Sequence, residues 1–66
     1  MKNIILRTST LTDGSKVYNV ELHELVYGRD NIIEFAASDW DDALKIVSYL
    51  ERICIAAGEE YKLAED

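Results

Sequence analysis

Residues 38–58 read SDWDDALKIVSYLERICIAAG, and this stretch decides the fold. Ser38 meets the N-cap preference, because a short side-chain oxygen can accept from the unpaired N–H groups of a first helical turn. Asp39, Asp41 and Asp42 then set negative charge against the positive end of the helix dipole. Gly58 closes the pattern as a left-handed cap. The spacing predicts one long helix from about Asp39 to about Ala57. Projected at about 100° per residue, Asp41, Lys45, Ser48 and Arg52 fall in one narrow polar stripe, flanked by Asp42 and Glu51. Trp40, Ala43, Leu44, Ile46, Val47, Leu50, Ile53, Cys54 and Ala57 cover about half the circumference, wider than the stripe of roughly 100° that one sheet face needs. Tyr49, Ile55 and Ala56 widen the arc. The centre expected to be buried is Ala43, Ile46 or Val47, Leu50, Ile53 and Cys54, which leaves the shoulders without cover from the same chain.

Toward the N-terminus the period changes from helical to alternating. Lys2 to Leu11 is a β-rich run ending at Thr12-Asp13-Gly14-Ser15, where Asp-Gly suits a tight hairpin turn. Lys16 to Tyr27 alternates Tyr18, Val20 and Leu22 with Val17, Asn19, Glu21 and His23. The alternation slips at Leu25-Val26-Tyr27, which suggests a bulge or bend. Gly28-Arg29-Asp30-Asn31 reads as a second turn into a short strand, Ile32 to Ala37. Consecutive strands on short turns are antiparallel neighbours. The expected fold is therefore α+β: a three-stranded antiparallel meander followed by one long helix packed on one face (β-β-β-α). In the acidic tail, Tyr61 and Leu63 leave two courses open: a short fourth edge strand, or Tyr61 folded back onto the helix.

A chain of 66 residues with 48% hydrophobic and 30% charged side chains is expected to form a single small domain, residues 1–66. It buries only about 60% of the surface its unfolded form exposes, which leaves little for a deep catalytic pocket, so no enzyme is expected. Seven Lys plus Arg against thirteen Asp plus Glu give a formal charge of -6, which disfavours direct nucleic-acid binding or an anionic membrane and favours a basic protein partner. A lone Cys54 offers no intramolecular disulfide, and the run Ile4-Ile5-Leu6 is too short for a signal peptide or a membrane span. A cytoplasmic, reducing location is expected.

No constellation points to catalysis, a metal or a cofactor. Glu21, His23 and Glu24 lack the ligand count of a zinc site and read as a solvated strand face. Cys54 falls on the apolar arc and reads as core. Asp13-Gly14-Ser15-Lys16 lacks the spacing of a phosphate loop, and Asp39, Asp41 and Asp42 lack the ligand spacing of a calcium loop. Tyr18, Tyr27 and Phe35 on strands could stack bases, with Arg7 and Lys16 as a modest basic patch if they share a face, but packing explains the aromatics better.

The order strand, Asp13-Gly14 turn, strand, strand, then Ser38-Asp39-Trp40-Asp41-Asp42-Ala43-Leu44 opening a helix resembles the small β-β-β-α domain of HicB-type antitoxins, whose helix also opens with a capped acidic and Ala-Leu segment. The expected function is that of a small acidic inhibitor or regulator, of the sort phages and mobile elements encode. It would bind a basic, nucleic-acid-handling protein through Asp39, Asp41, Asp42, Glu51, Glu59 and Glu60. The alternative is a homodimeric assembly module that uses Leu44, Tyr49 and Ile55 on the apolar helix surface. A HicB-like or sheet-based nucleic-acid-binding module is the third reading.

Overall fold

The computed structural model describes residues 2–66 and has the order β1 (Lys2–Thr10), β2 (Lys16–Val26), β3 (Arg29–Ala37), α1 (Trp40–Ala56) and β4 (Tyr61–Glu65). The strands form one sheet in the order β3-β2-β1-β4. The meander is antiparallel, and β4 runs parallel to β1, from Lys2 opposite Tyr61 to Leu6 opposite Glu65. The fold is α+β, as expected. The tail takes both courses left open for it, since Tyr61 starts the fourth strand and also donates its hydroxyl to Glu51 on the helix, at 2.8 Å. Parallel neighbours require a crossover, and α1 supplies it by carrying the chain from the β3 edge to the β4 edge.

Alternation assigns the faces. Ile4 and Leu6 lie opposite Leu22 and Val20, and all four point to the helix side. Ala43, Val47, Leu50 and Cys54 fall at helical spacing and are buried against them. Tyr18, Phe35, Ile46 and Tyr61 pack around this core. Tyr18 meets Trp40 edge to face, with ring centroids 5.6 Å apart. Of the expected helix core, Ile53 does not belong: it stands 40% exposed, because the buried centre lies on the Ala43–Cys54 row and Ile53 falls on its shoulder. Cys54 is a buried core residue, as expected.

Four local expectations need correction. The N-cap is Asp39, whose extended backbone lets its Oδ1 accept from Asp42 N at 2.8 Å; aspartate caps as well as serine, and only this one reaches the third helical N–H. No bulge interrupts β2, whose register with β3 runs unbroken from Tyr18 opposite Ala37 to Val26 opposite Arg29. Leu25 is simply an exposed leucine on the bare side. The second turn is Tyr27-Gly28, not 28–31, and both residues take positive φ, 52° and 76°, as the two-residue turn that matches strand twist demands. The first hairpin is wider than a two-residue turn: Leu11 O accepts from Gly14 N and Leu11 N donates to Ser15 O. Only Gly14 there is left-handed, at φ 87°. The helix ends as expected, with Gly58 at φ 69°, Gly58 N donating to Ile55 O and Glu59 N to Cys54 O.

Candidate functional site

Among the described residues one helix covers one side of the sheet, and the other face has no second layer. Its side chains are those that alternate away from the core: Asn3, Ile5 and Arg7 on β1, Asn19, Glu21 and His23 on β2, Ile32, Glu34 and Ala36 on β3. The centre of this face is Glu21, opposite Ile5 on one neighbour and Glu34 on the other. Glu21 is only 8% exposed although no helix covers it. Its Oε2 accepts from Arg7 Nε at 2.8 Å, and its Oε1 lies 2.7 Å from His23 Nε2. Arg7 also pairs with Asp66 beyond β4. The hydrogen bond from His23 and, after it, the charge of Arg7 hold the Glu21 carboxyl below its ordinary range against the opposing effect of desolvation. The face expected to be solvated thus carries an ion cluster, because β1 brings Arg7 to one oxygen of the carboxylate and His23, two residues on along β2, meets the other. The sequence signal was the same-face spacing of Glu21 and His23; the missing piece was Arg7, which only the register supplies.

The six acidic residues expected to bind a partner are not one array. Asp39, Asp41 and Asp42 stand at the start of α1, while Glu59 and Glu60 lie past its end, about 25 Å away along a 17-residue helix. Asp39 is used as the cap. Glu51 accepts from Tyr61, which raises the Tyr61 hydroxyl above its ordinary pKa. Glu59 pairs with Lys2 at 2.8 Å, alongside Glu24 at 3.4 Å. These partners, Glu59 first, raise the Lys2 ammonium above its ordinary value. Asp41, Asp42 and Glu60 have no ion-pair partner among the described residues.

The apolar residues expected to self-associate are all exposed, but they divide between the helix flanks. Leu44, Glu51 and Ile55 fall within about 40° of one another, and the Glu51–Tyr61 bond turns this flank toward β4. Asp42, Ile46 and Ile53 form the opposite flank. Asp42 and Ile46 line a shallow cleft of about 580 Å³ with Ala36 and Ala37, which turns that flank toward β3. Tyr49 lies near Asp42 on the solvent side and joins neither Leu44 nor Ile55.

The basic patch does not form. Arg7 points to the bare face, whereas Lys16, opposite Thr10, points to the helix side. Tyr18 and Phe35 pack on the core, but Tyr27 stands fully exposed at the tip of the β2–β3 hairpin. No group of three or more metal-ligating side chains occurs among the described residues, and no helix there is long and apolar enough to cross a membrane. No family model matches the chain, and neither a curated protein nor a solved structure matches it.

Proposed function

We propose that this protein works by binding another protein, as a small inhibitor or regulator, and not by catalysis. The observation that carries the reading is the helix flank toward β4, where Leu44 and Ile55 lie exposed on the same side of α1 as Glu51, while Leu63 of β4 is exposed on the helix side of the sheet. Exposed apolar side chains that line up on one rigid element are what a partner buries, while singly scattered ones need no explanation.

Charge supports a basic partner. The net charge is -6, and Asp41 and Asp42, where α1 begins, have no ion-pair partner among the described residues. Such carboxylates steer a basic surface toward the helix and add less to the final affinity than the apolar contact does. The division of the acidic residues between the two helix ends favours apolar contact as the anchor and charge as the guide. The pure charge mimic is the second reading, and Asp41 and Asp42 are what it rests on.

The test is affinity capture with the tagged chain, washed at low and at high salt, followed by measured affinity for the recovered protein. Leu44→Asp or Ile55→Asp is expected to abolish capture. The pair Asp41→Lys and Asp42→Lys is expected to slow association and leave a salt-resistant complex. Capture that survives both apolar substitutions and vanishes with the charge reversals would replace this reading with the charge mimic.

A further inference from the structure

The two edges of the sheet are unlike. β4 is five residues long and carries Lys62 and Glu65, the short, charged kind of edge that resists pairing with another strand. β3 is nine residues long, about 30 Å at the rise of an extended strand, and only β2 pairs with it. Several of the usual protections are missing from this edge, and the charges it carries, Arg29, Asp30 and Glu34, leave the Ile32-Ile33 centre apolar. The chain has no Pro, β3 has no Lys, and its nine pairs with β2 run without a bulge. Ile32 and Ile33 are each about half exposed, one on each face of the sheet. A long, regular edge with apolar side chains on both faces is a template for another strand.

Charge says which strand. Arg29 opens β3, is exposed, and pairs with no carboxylate among the described residues. Just past the other end of the strand stand Asp39, Asp41 and Asp42, with Asp42 lining the cleft beside Ala36 and Ala37. Antiparallel pairing of β3 with the β3 of a second copy reverses the strand. The basic end of each copy then lies beside the acidic helix start of the other, twice, as two-fold symmetry requires. Same-face pairing restricts the registers. With Ile33 opposite Ile33, Arg29 faces Ala37, Asn31 faces Phe35 and Ile32 faces Glu34, so no like charges are directly opposed. The next register, centred on Ile32, would oppose Asp30 to Glu34, which is unfavourable.

We infer that β3 is the self-association edge: two copies join through Arg29–Ala37 into one continuous sheet, with Arg29 of each copy paired to Asp42 of the other. Both helices then lie on the same side of the joined sheet. The Leu44 flank of each faces away from the seam, free for the protein partner. The inference rests on the reading that the chain works by binding protein; it assigns the second copy to the β3 edge, where Asp42 is taken up, and the regulated partner to the Leu44 flank, with Asp41 left to guide it.

The test is sedimentation equilibrium of the full chain from about 1 µM to about 1 mM, a range that brackets weak and moderate self-association. The expected result is a mass rising toward twice that of one chain. Arg29→Glu and Ile33→Lys are each expected to raise the dissociation constant at least ~10-fold. The swap Arg29→Asp with Asp42→Arg is expected to return it to within about threefold of the parent, because it restores both contacts with reversed sign. Trp40 fluorescence and far-ultraviolet circular dichroism confirm that each variant is folded. If Ile33→Lys unfolds, the exposed Arg29→Glu and its rescue carry the result. A single chain at the highest concentration overturns the inference, as does a dimer that ignores both substitutions. A dimer abolished only by Leu44→Asp or Ile55→Asp also overturns it, while leaving the protein-binding reading intact. Self-association through β3 without any capture of another protein supports the edge and removes the regulator.

Discussion

Leu50→Ala and Ile55→Ala each remove three carbons from the same helix, yet the structure expects very different costs. Leu50 is 3% exposed, in the buried row between Val47 and Cys54. At about 0.8 kcal/mol per buried methylene, the lost transfer energy is roughly 2.4 kcal/mol, and the residual cavity brings the cost to about 3 kcal/mol. A domain of this length has roughly 3–10 kcal/mol of stability in total. Leu50→Ala is therefore expected to lower the melting midpoint by about 12–24 °C, or to leave the chain partly unfolded at room temperature. Ile55 is 66% exposed, so only about a third of its transfer energy is at stake. The better helix propensity of alanine offsets part of that, leaving a net cost of about 0.5 kcal/mol or less. Thermal and urea unfolding, followed by far-ultraviolet circular dichroism at about 10 µM, measures both. Equal destabilisation by the two substitutions, or a Leu50→Ala cost below about 1 kcal/mol, would refute the packing of α1 on the sheet described above.

Tyr27→Asn is expected to stabilise the β2–β3 hairpin by about 0.5–1 kcal/mol, read as a raised melting midpoint, because asparagine tolerates the left-handed backbone that strains tyrosine at φ 52°. Glu21→Gln is expected to matter at neutral pH and not in acid. A carboxyl held below its ordinary value of 4.5 contributes stability that is fully present above that value and is lost as the pH falls through the lowered one. Melting midpoints of the parent and the variant, taken from pH 7 to about pH 2, should therefore converge toward the acid end; parallel curves would show that the ion cluster contributes nothing. Tyr61→Phe removes the hydroxyl that ties β4 to Glu51. Amide exchange is expected to accelerate at Lys62–Glu65 and stay unchanged where β1 meets β2.

What the sequence made legible were the features set by local chemistry. The alternation of Tyr18, Val20 and Leu22 fixed the strand faces, and the Ser-Asp opening with Gly58 fixed the helix to within a residue at each end. The errors arose where local signals compete. Leu25-Val26-Tyr27 looks like a slipped register because exposed leucine is read as misplaced, and tyrosine is a poor candidate for a left-handed turn position, so the turn moved to the glycine side of its true place. Ser38 and Asp39 are equivalent caps by preference, and only backbone geometry selects between them. The Glu21 cluster was out of reach, since Arg7 is 14 residues away and becomes its neighbour through hairpin register alone. In sequence the acidic residues read as one surface, because charge has no position until the helix separates its ends.

The parallel pairing of β4 with β1 also bears on how quickly the molecule assembles. The meander closes through two short hairpins, whereas Lys2 must find Tyr61 across 59 positions of chain. Closing so long a loop costs entropy before the pairing returns any of it, so this contact belongs to the slow end of folding. Until it forms, β1 is an open edge, and any free strand in the mixture, including β4 of another copy, can occupy the place. Refolding at high concentration is therefore expected to favour exchanged pairs, and dilution the closed single chain.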